Sequence, residues 1–175
     1  MLNRLPEYID PLQLADKRGS LKGQISLNSL DRLKEGLSND EGCVDIELFF
    51  GREGRLAKIE GQIKTILSLE CQNCLQALEL SVDSVVKLGI VSSIDEANRL
   101  PDDYEPLLVE QENISLKTLI EDELLLILPA FPKHEHNCFI PYSDNNKSDS
   151  SLVGGQSTIK SPFSILAKLK TSGDL

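Results

Sequence analysis

"RLAKIEGQIKTILSLECQNCLQALELSVDSVVKLGI", residues 55–90, alternates apolar and polar side chains on both sides of a Cys-x-x-Cys pair. In the first run Ile59, Ile63, Leu67 and Leu69 face one way, while Lys58, Glu60, Gln62, Lys64, Ser68 and Glu70 face the other. A period of two over this length predicts a strand with one buried face. The second run repeats it, with Leu78, Leu80, Val82, Val86 and Leu88 inward. Upstream, "CVDIELFF" (43–50) sets Val44, Ile46, Leu48 and Phe50 against Asp45 and Glu47, and "GREG" (51–54) supplies a turn. Three successive strands predict an antiparallel twisted sheet or an open barrel-like sheet.

The flanking segments supply the other layer. "SLKGQISL" (20–27) reads as a further strand, and Pro11 to Lys17 as a short helical or turn piece. "NSLDRLKEGL" (28–37) reads as a helix with Asn28 or Ser29 at its cap, Leu30, Leu33 and Leu37 on one face, and Gly36 at its end. After an acidic loop, "LLVEQ" (107–111) is a short strand. "ISLKTLIEDELLLILP" (114–129) is a helix with Ser115 near its cap, stopped by Pro129. The expected class is α+β, a sheet packed by a few helices with a flexible C-terminal tail. The expected organisation is one domain over 1–142, a Gly/Ser/Asn-rich disordered linker over 143–160, and a short helical segment over 161–175.

Composition narrows the functional classes. The chain is 40% hydrophobic and lacks tryptophan, so its core must rest on Leu, Ile and Val. No apolar run approaches the roughly 20 residues that span a bilayer. The opening "MLNRLPEYIDP" has no apolar signal-peptide centre, which predicts a cytoplasmic protein with reduced cysteines. The net charge of −10 is unevenly spread. Residues 1–58 carry nine Lys/Arg against ten Asp/Glu, whereas 59–150 carry six against seventeen. A general nucleic-acid coat is excluded. A local basic face in the first third remains open, as do simple solubility and a basic protein partner for the acidic middle.

Cys71 and Cys74 fall at the turn between two expected strands, where both sulfurs can point at one centre. "KHEHNC" (133–138) places His134, His136 and Cys138 at alternate positions, which share a face in an extended segment. Cys71, Cys74 and Cys138 with one histidine would make a Cys₃His zinc site. The same residues also read as reduced structural thiols with exposed histidines. A redox pair would need the first cysteine at a helix N-terminus, and the flanking pattern is strand. Cys43 reads as a small core residue. There is no G-x-S-x-G, Walker motif or G-x-G-x-x-G. Glu121, Asp122 and Glu123 diverge by about 100° each on a helix, so they read as a solvated face or a contact for a basic partner.

"LECQNCLQALEL" (69–80), "IEDELLLILPAFPKHEHNC" (120–138) and "SPFSILAKLK" (161–170) resemble, in this order, three elements of the YceD family, the large ribosomal RNA subunit accumulation proteins. The resemblance implies a non-enzymatic role in making or preserving large-subunit ribosomal RNA. It aligns Cys71, Cys74, His134 and Cys138 with the family's cysteine and histidine positions, and Glu121 to Glu123 with its acidic helix. Leu75 matches the leucine after the second cysteine, and Pro162, Phe163, Leu166 and Leu169 match the tail. Asn73 stands where the family often carries arginine. On this reading Lys17, Arg18, Lys22, Arg32, Lys34, Arg52 and Arg55 would touch RNA in a large-subunit precursor, or the acidic middle would hold a basic ribosomal protein. The segment carrying Phe163 and Leu166 would bind a partner. The rival expectation is a metal- or thiol-dependent enzyme built on Cys71, Cys74 and Cys138.

Overall fold

The alternation at residues 43–91 does form strands, and they pair consecutively. The computed structural model describes residues 5–138. β1 (Tyr8–Ile9), α1 (Pro11–Asp16) and β2 (Ser20–Ser26) lead into β3 (Cys43–Glu53), β4 (Leu56–Glu70) and β5 (Ala77–Val91). Then come α3 (Ile94–Ala97), β6 (Glu105–Leu108), β7 (Ile114–Ser115) and α4 (Leu116–Ile127). The sheet is open, ordered β2-β3-β4-β5-β6, and antiparallel except for β6, which runs parallel to β5. The β3–β4 hairpin closes over two residues, with Gly54 at φ 60 in the first of them, as that turn requires. β1 and β7 form a separate two-stranded pair. The expected linker 143–160 and terminal segment 161–175 lie outside the described residues.

One face of the sheet is the core. Val44, Ile46, Leu48, Phe50, Ile59, Ile63, Leu67, Val82, Val86 and Leu88 are buried in a single cluster with Leu116, Leu119, Ile120 and Leu124 of α4. Ser115 caps α4 as its sequence suggests, its hydroxyl accepting from the Thr118 N–H at 3.3 Å. The opposite face meets solvent through cross-strand polar pairs, among them Lys22–Glu47 at 3.1 Å and Lys64–Asp83 at 3.3 Å. Cys43 belongs to that outer face and is exposed, which corrects the expectation of a core residue. β3 alternates, and it is Val44 that turns inward. Among the described residues no helix is long and apolar enough to cross a membrane.

The expected helix over 28–37 is a 3₁₀ turn (Leu27–Ser29) followed by the short α2 (Asp31–Lys34). Neither Asn28 nor Ser29 caps α2. The Ser29 hydroxyl donates instead to the Ser26 carbonyl at 2.7 Å. The cap comes from far along the chain. Glu121 of α4 is only 7% exposed, and one of its oxygens accepts from the backbone N–H of Arg32 at 2.7 Å and of Leu33 at 3.1 Å. Its other oxygen accepts from Arg32 Nε at 3.0 Å, and Asp122 takes Arg32 Nη2 at 2.7 Å. A four-residue helix is too short to hold itself, and a negative charge at its N-terminus satisfies orphan donors and the helix dipole together. Glu121 is therefore not part of a solvated acidic face.

Gly61, on the core face of β4, admits no side chain. A Cβ there would lie 2.1 Å from the Glu47 carbonyl and 2.9 Å from Leu48 Cα. Gly61→Ala is expected to cost about 3 kcal/mol of stability in urea unfolding, because backbone must move. Glu121→Ala should cost about 2–4 kcal/mol by leaving buried N–H groups unpaired. Asp122→Ala, on the same arginine but at the surface, should cost less than about 1 kcal/mol. Equal losses at 121 and 122 would refute the cap.

Candidate metal centre

The six residues between β4 and β5 fold as a knuckle. The Cys71 N–H donates to the Gln76 carbonyl at 2.9 Å, and the Leu75 N–H returns to the Cys71 carbonyl at 2.8 Å. Leu75 takes φ 58, a left-handed conformation that favours glycine, with its side chain 66% exposed. The segment after α4 is tied alongside by the Gln72 N–H, which donates to the Pro132 carbonyl at 2.9 Å. That bond sets His134 and Cys138 against the knuckle. Cys71 Sγ lies 3.5 Å from Cys138 Sγ, and Cys74 Sγ lies 3.4 Å from His134 Nδ1. The four donor atoms all fall within 4.8 Å of one another.

Those separations fit a tetrahedron. Metal–sulfur bonds of about 2.3 Å put sulfurs on a tetrahedral ion roughly 3.8 Å apart. The surroundings fit as well. His134 Nε2 meets the Ala77 carbonyl at 3.1 Å, so it carries the ring proton and leaves the Nδ1 lone pair facing the sulfurs. His136 stacks near His134, with ring centroids 4.8 Å apart, but is not among the four donors. Burial pushes the Cys71 thiol up. Backbone N–H groups of Asn73, Cys74 and His134, with the Cys138 thiol, more than reverse that and bring it down to about 5. Cys138 is pushed up, first by burial and then by its two sulfur neighbours. The cluster thus presents one stabilised thiolate with further donors closing round it, an arrangement compatible with a metal ion.

The basic residues divide. Lys22 pairs with Glu47, Arg32 with Glu121 and Asp122, and Lys34 with Asp31 at 2.6 Å. A second group meets at the β3–β4 turn. The Arg52 guanidinium pairs with Asp16 at the end of α1 and donates to the Arg55 carbonyl at 3.5 Å, while the Phe50 N–H donates to the Gly19 carbonyl at 2.9 Å. These bonds join the segment that carries Lys17 and Arg18 to the strand and turn that carry Arg52 and Arg55. Lys17 bonds only the neutral Gln13, and among the described residues Arg18 and Arg55 form no ion pair. Asp122 is exposed on α4 and Glu123 is half-buried, whereas Glu121 is consumed inside. Phe163 and Leu166 lie outside the described residues. Nothing in the sequence marks the Ala77 and Pro132 carbonyls, which orient the cluster through backbone alone.

Comparison with known proteins bears on the same residues. The family described as Large ribosomal RNA subunit accumulation protein YceD matches residues 59–170, a span holding all four donors. The chain is 30% identical over 170 residues to the Large ribosomal RNA subunit accumulation protein YceD of Haemophilus influenzae, across 95% of this chain and 97% of that protein. No solved structure matches.

Cobalt(II) added to reduced protein is expected to give the intense visible bands of a tetrahedral thiolate complex. Cys74→Ser and His134→Ala should weaken or abolish them, and His136→Ala should leave them intact. Bands that survive His134→Ala but vanish with His136→Ala would show that the wrong histidine is assigned.

Proposed function

The chain belongs to the YceD family of large ribosomal RNA subunit accumulation proteins, and from that premise we propose that it supports ribosome biogenesis by binding an assembly precursor of the large subunit. The family match carries the reading, and the site's geometry favours binding over catalysis. Four protein donors complete a tetrahedral set, whereas a catalytic metal keeps a position open for water or substrate. In this reading zinc, which suits a thiolate-rich donor set, is held by Cys71, Cys74, Cys138 and His134. Its contribution is structural, clamping the segment after α4 onto the far end of the β4–β5 hairpin. The protein works in the cytoplasm, where its partner is assembled.

The contact with RNA is assigned to Lys17, Arg18 and Arg55, which follow α1 or lie in the β3–β4 turn and have no carboxylate partner among the described residues. Arg52, paired with Asp16, ties the two segments together. Lys22, Arg32 and Lys34 are already neutralised by the protein's own acids, so they offer phosphate less. This supports a local basic end on an otherwise acidic molecule, where orientation is set by repulsion as much as by attraction.

Sedimentation of tagged protein through a sucrose gradient at moderate salt, followed by sequencing of the bound RNA, tests the proposal. The wild-type chain is expected to migrate with precursors enriched in unprocessed large-subunit RNA. Lys17→Glu/Arg18→Glu/Arg55→Glu should shift it to the top of the gradient without loss of thermal stability. Wild-type protein that stays at the top, free of ribosomal RNA and ribosomal proteins, would refute stable binding and return thiol or metal chemistry as the leading reading.

A further inference from the structure

A groove lies between α4 and the β6–β7 segment, built by residues separate from the metal cluster and the basic end. It encloses about 400 Å³, and Leu107, Leu108, Ile114 and Leu119 give it an apolar lining to which Glu110 and Asp122 add carboxylates. Leu108 ends an edge strand and is 46% exposed, so apolar surface here is left open by the described residues. The surroundings are one-signed. Residues 102–123 carry eight Asp/Glu against the single Lys117. Arg32 engages Glu121 and Asp122 from one side, but among the described residues Glu105, Glu110, Glu112 and Glu123 form no ion pair. The Glu123 carboxyl is pushed above the ordinary range, first by burial and then by the negative charges of Glu105 and Asp122. Of the groove's own two carboxylates, Asp122 is thus paired and Glu110 is left without an ion pair among the described residues.

We propose that this groove binds a lysine- and arginine-rich polypeptide segment carrying apolar side chains, presented by a protein of the large-subunit precursor. Its apolar side chains would cover Leu107, Leu108, Ile114 and Leu119, and its cations would meet Glu110, Glu123 and Glu105. RNA is the wrong occupant, because its phosphates would face Glu110 and Asp122 in the groove and Glu105 and Glu123 beside it. A neutral apolar partner would leave the carboxylates unrelieved. The inference rests on the proposed role in assembly only for the source of the segment. It separates two contacts on one molecule, RNA at the basic end and basic protein at the acidic groove.

Fluorescence anisotropy with a labelled peptide that alternates Lys or Arg with Leu, at physiological salt, provides the test. Wild-type protein is expected to bind it, and Glu110→Lys/Glu123→Lys should weaken binding about tenfold or more. Replacing the peptide's leucines by serine should weaken it to a similar degree, a result that needs no altered protein. Glu70→Lys/Glu79→Lys, which reverses exposed charge elsewhere, should change affinity less than about threefold. Equal loss from the two reversals, or serine peptide binding as well as leucine peptide, would overturn the groove in favour of diffuse charge attraction. Labelled single-stranded RNA that, without peptide present, binds the Lys17→Glu/Arg18→Glu/Arg55→Glu chain as tightly as the peptide binds wild-type protein would overturn the choice of occupant. Protein that binds the peptide but sediments free of precursors would refute the assembly role and leave the groove standing. The reverse pair of results would refute the groove alone.

Discussion

Fourteen consecutive residue pairs between β4 and β5 form the constraint on which the rest of the molecule depends. A hairpin of that length reaches about 45 Å and shows one continuous apolar face, which no two-stranded unit can leave in water. β2 and β3 widen the sheet, and α4 lies in the same buried cluster as that face. At Gly61 the hairpin and β3 approach so closely that a methyl group would strike backbone, so the register is fixed from within as well as by alternation. The ends of the hairpin are then the places left for chemistry. One carries the cysteine knuckle, and the other faces the β3–β4 turn with its arginines.

An acidic chain of this kind has to manage its own repulsion, and it does so unevenly. Glu121 is spent inside, where its carboxylate makes a helix N-terminus of α2 and binds α2 to α4. Lys58 is gripped by Tyr104 at 2.9 Å, Glu53 at 3.0 Å and Glu60 at 3.1 Å, which holds its ammonium well above the ordinary range and pins the approach to β6 onto β4. Two groups that form no ion pair among the described residues differ in sign: Lys17, Arg18 and Arg55 by the β3–β4 turn, and Glu105, Glu110, Glu112 and Glu123 along β6 and α4. On the proposed reading this sorting lets one small protein touch RNA and basic protein at once, each by the surface that repels the other.

How much of this the sequence discloses follows from the range of each interaction. Strands 43–53, 56–70 and 77–91 are legible because a period of two is local and long. The cluster is legible as a set of residue types, and the family resemblance named His134. The choice against His136 rests in the structure on the Ala77 and Pro132 carbonyls, which have no sequence signature. The helix at 28–37 shrinks to α2 because the stabilising carboxylate comes from a residue 89 positions away, where three consecutive acids look alike in sequence. Of the strand expected over 107–111 only Leu107 and Leu108 belong to β6, which begins at Glu105, and its parallel direction depends on the crossover through α3, too short to show a period. Cys43 illustrates the converse: a residue often buried is exposed because its neighbour Val44 claims the inward position.

The most direct measurement is the ratio of large- to small-subunit ribosomal RNA in cells lacking this chain, and in the same cells resupplied with it. The expected result is a fall in the ratio on loss, restored by the wild-type chain and not by one with Lys17, Arg18 and Arg55 reversed to glutamate. A ratio unchanged by loss, or restored equally by the reversed chain, would contradict the account.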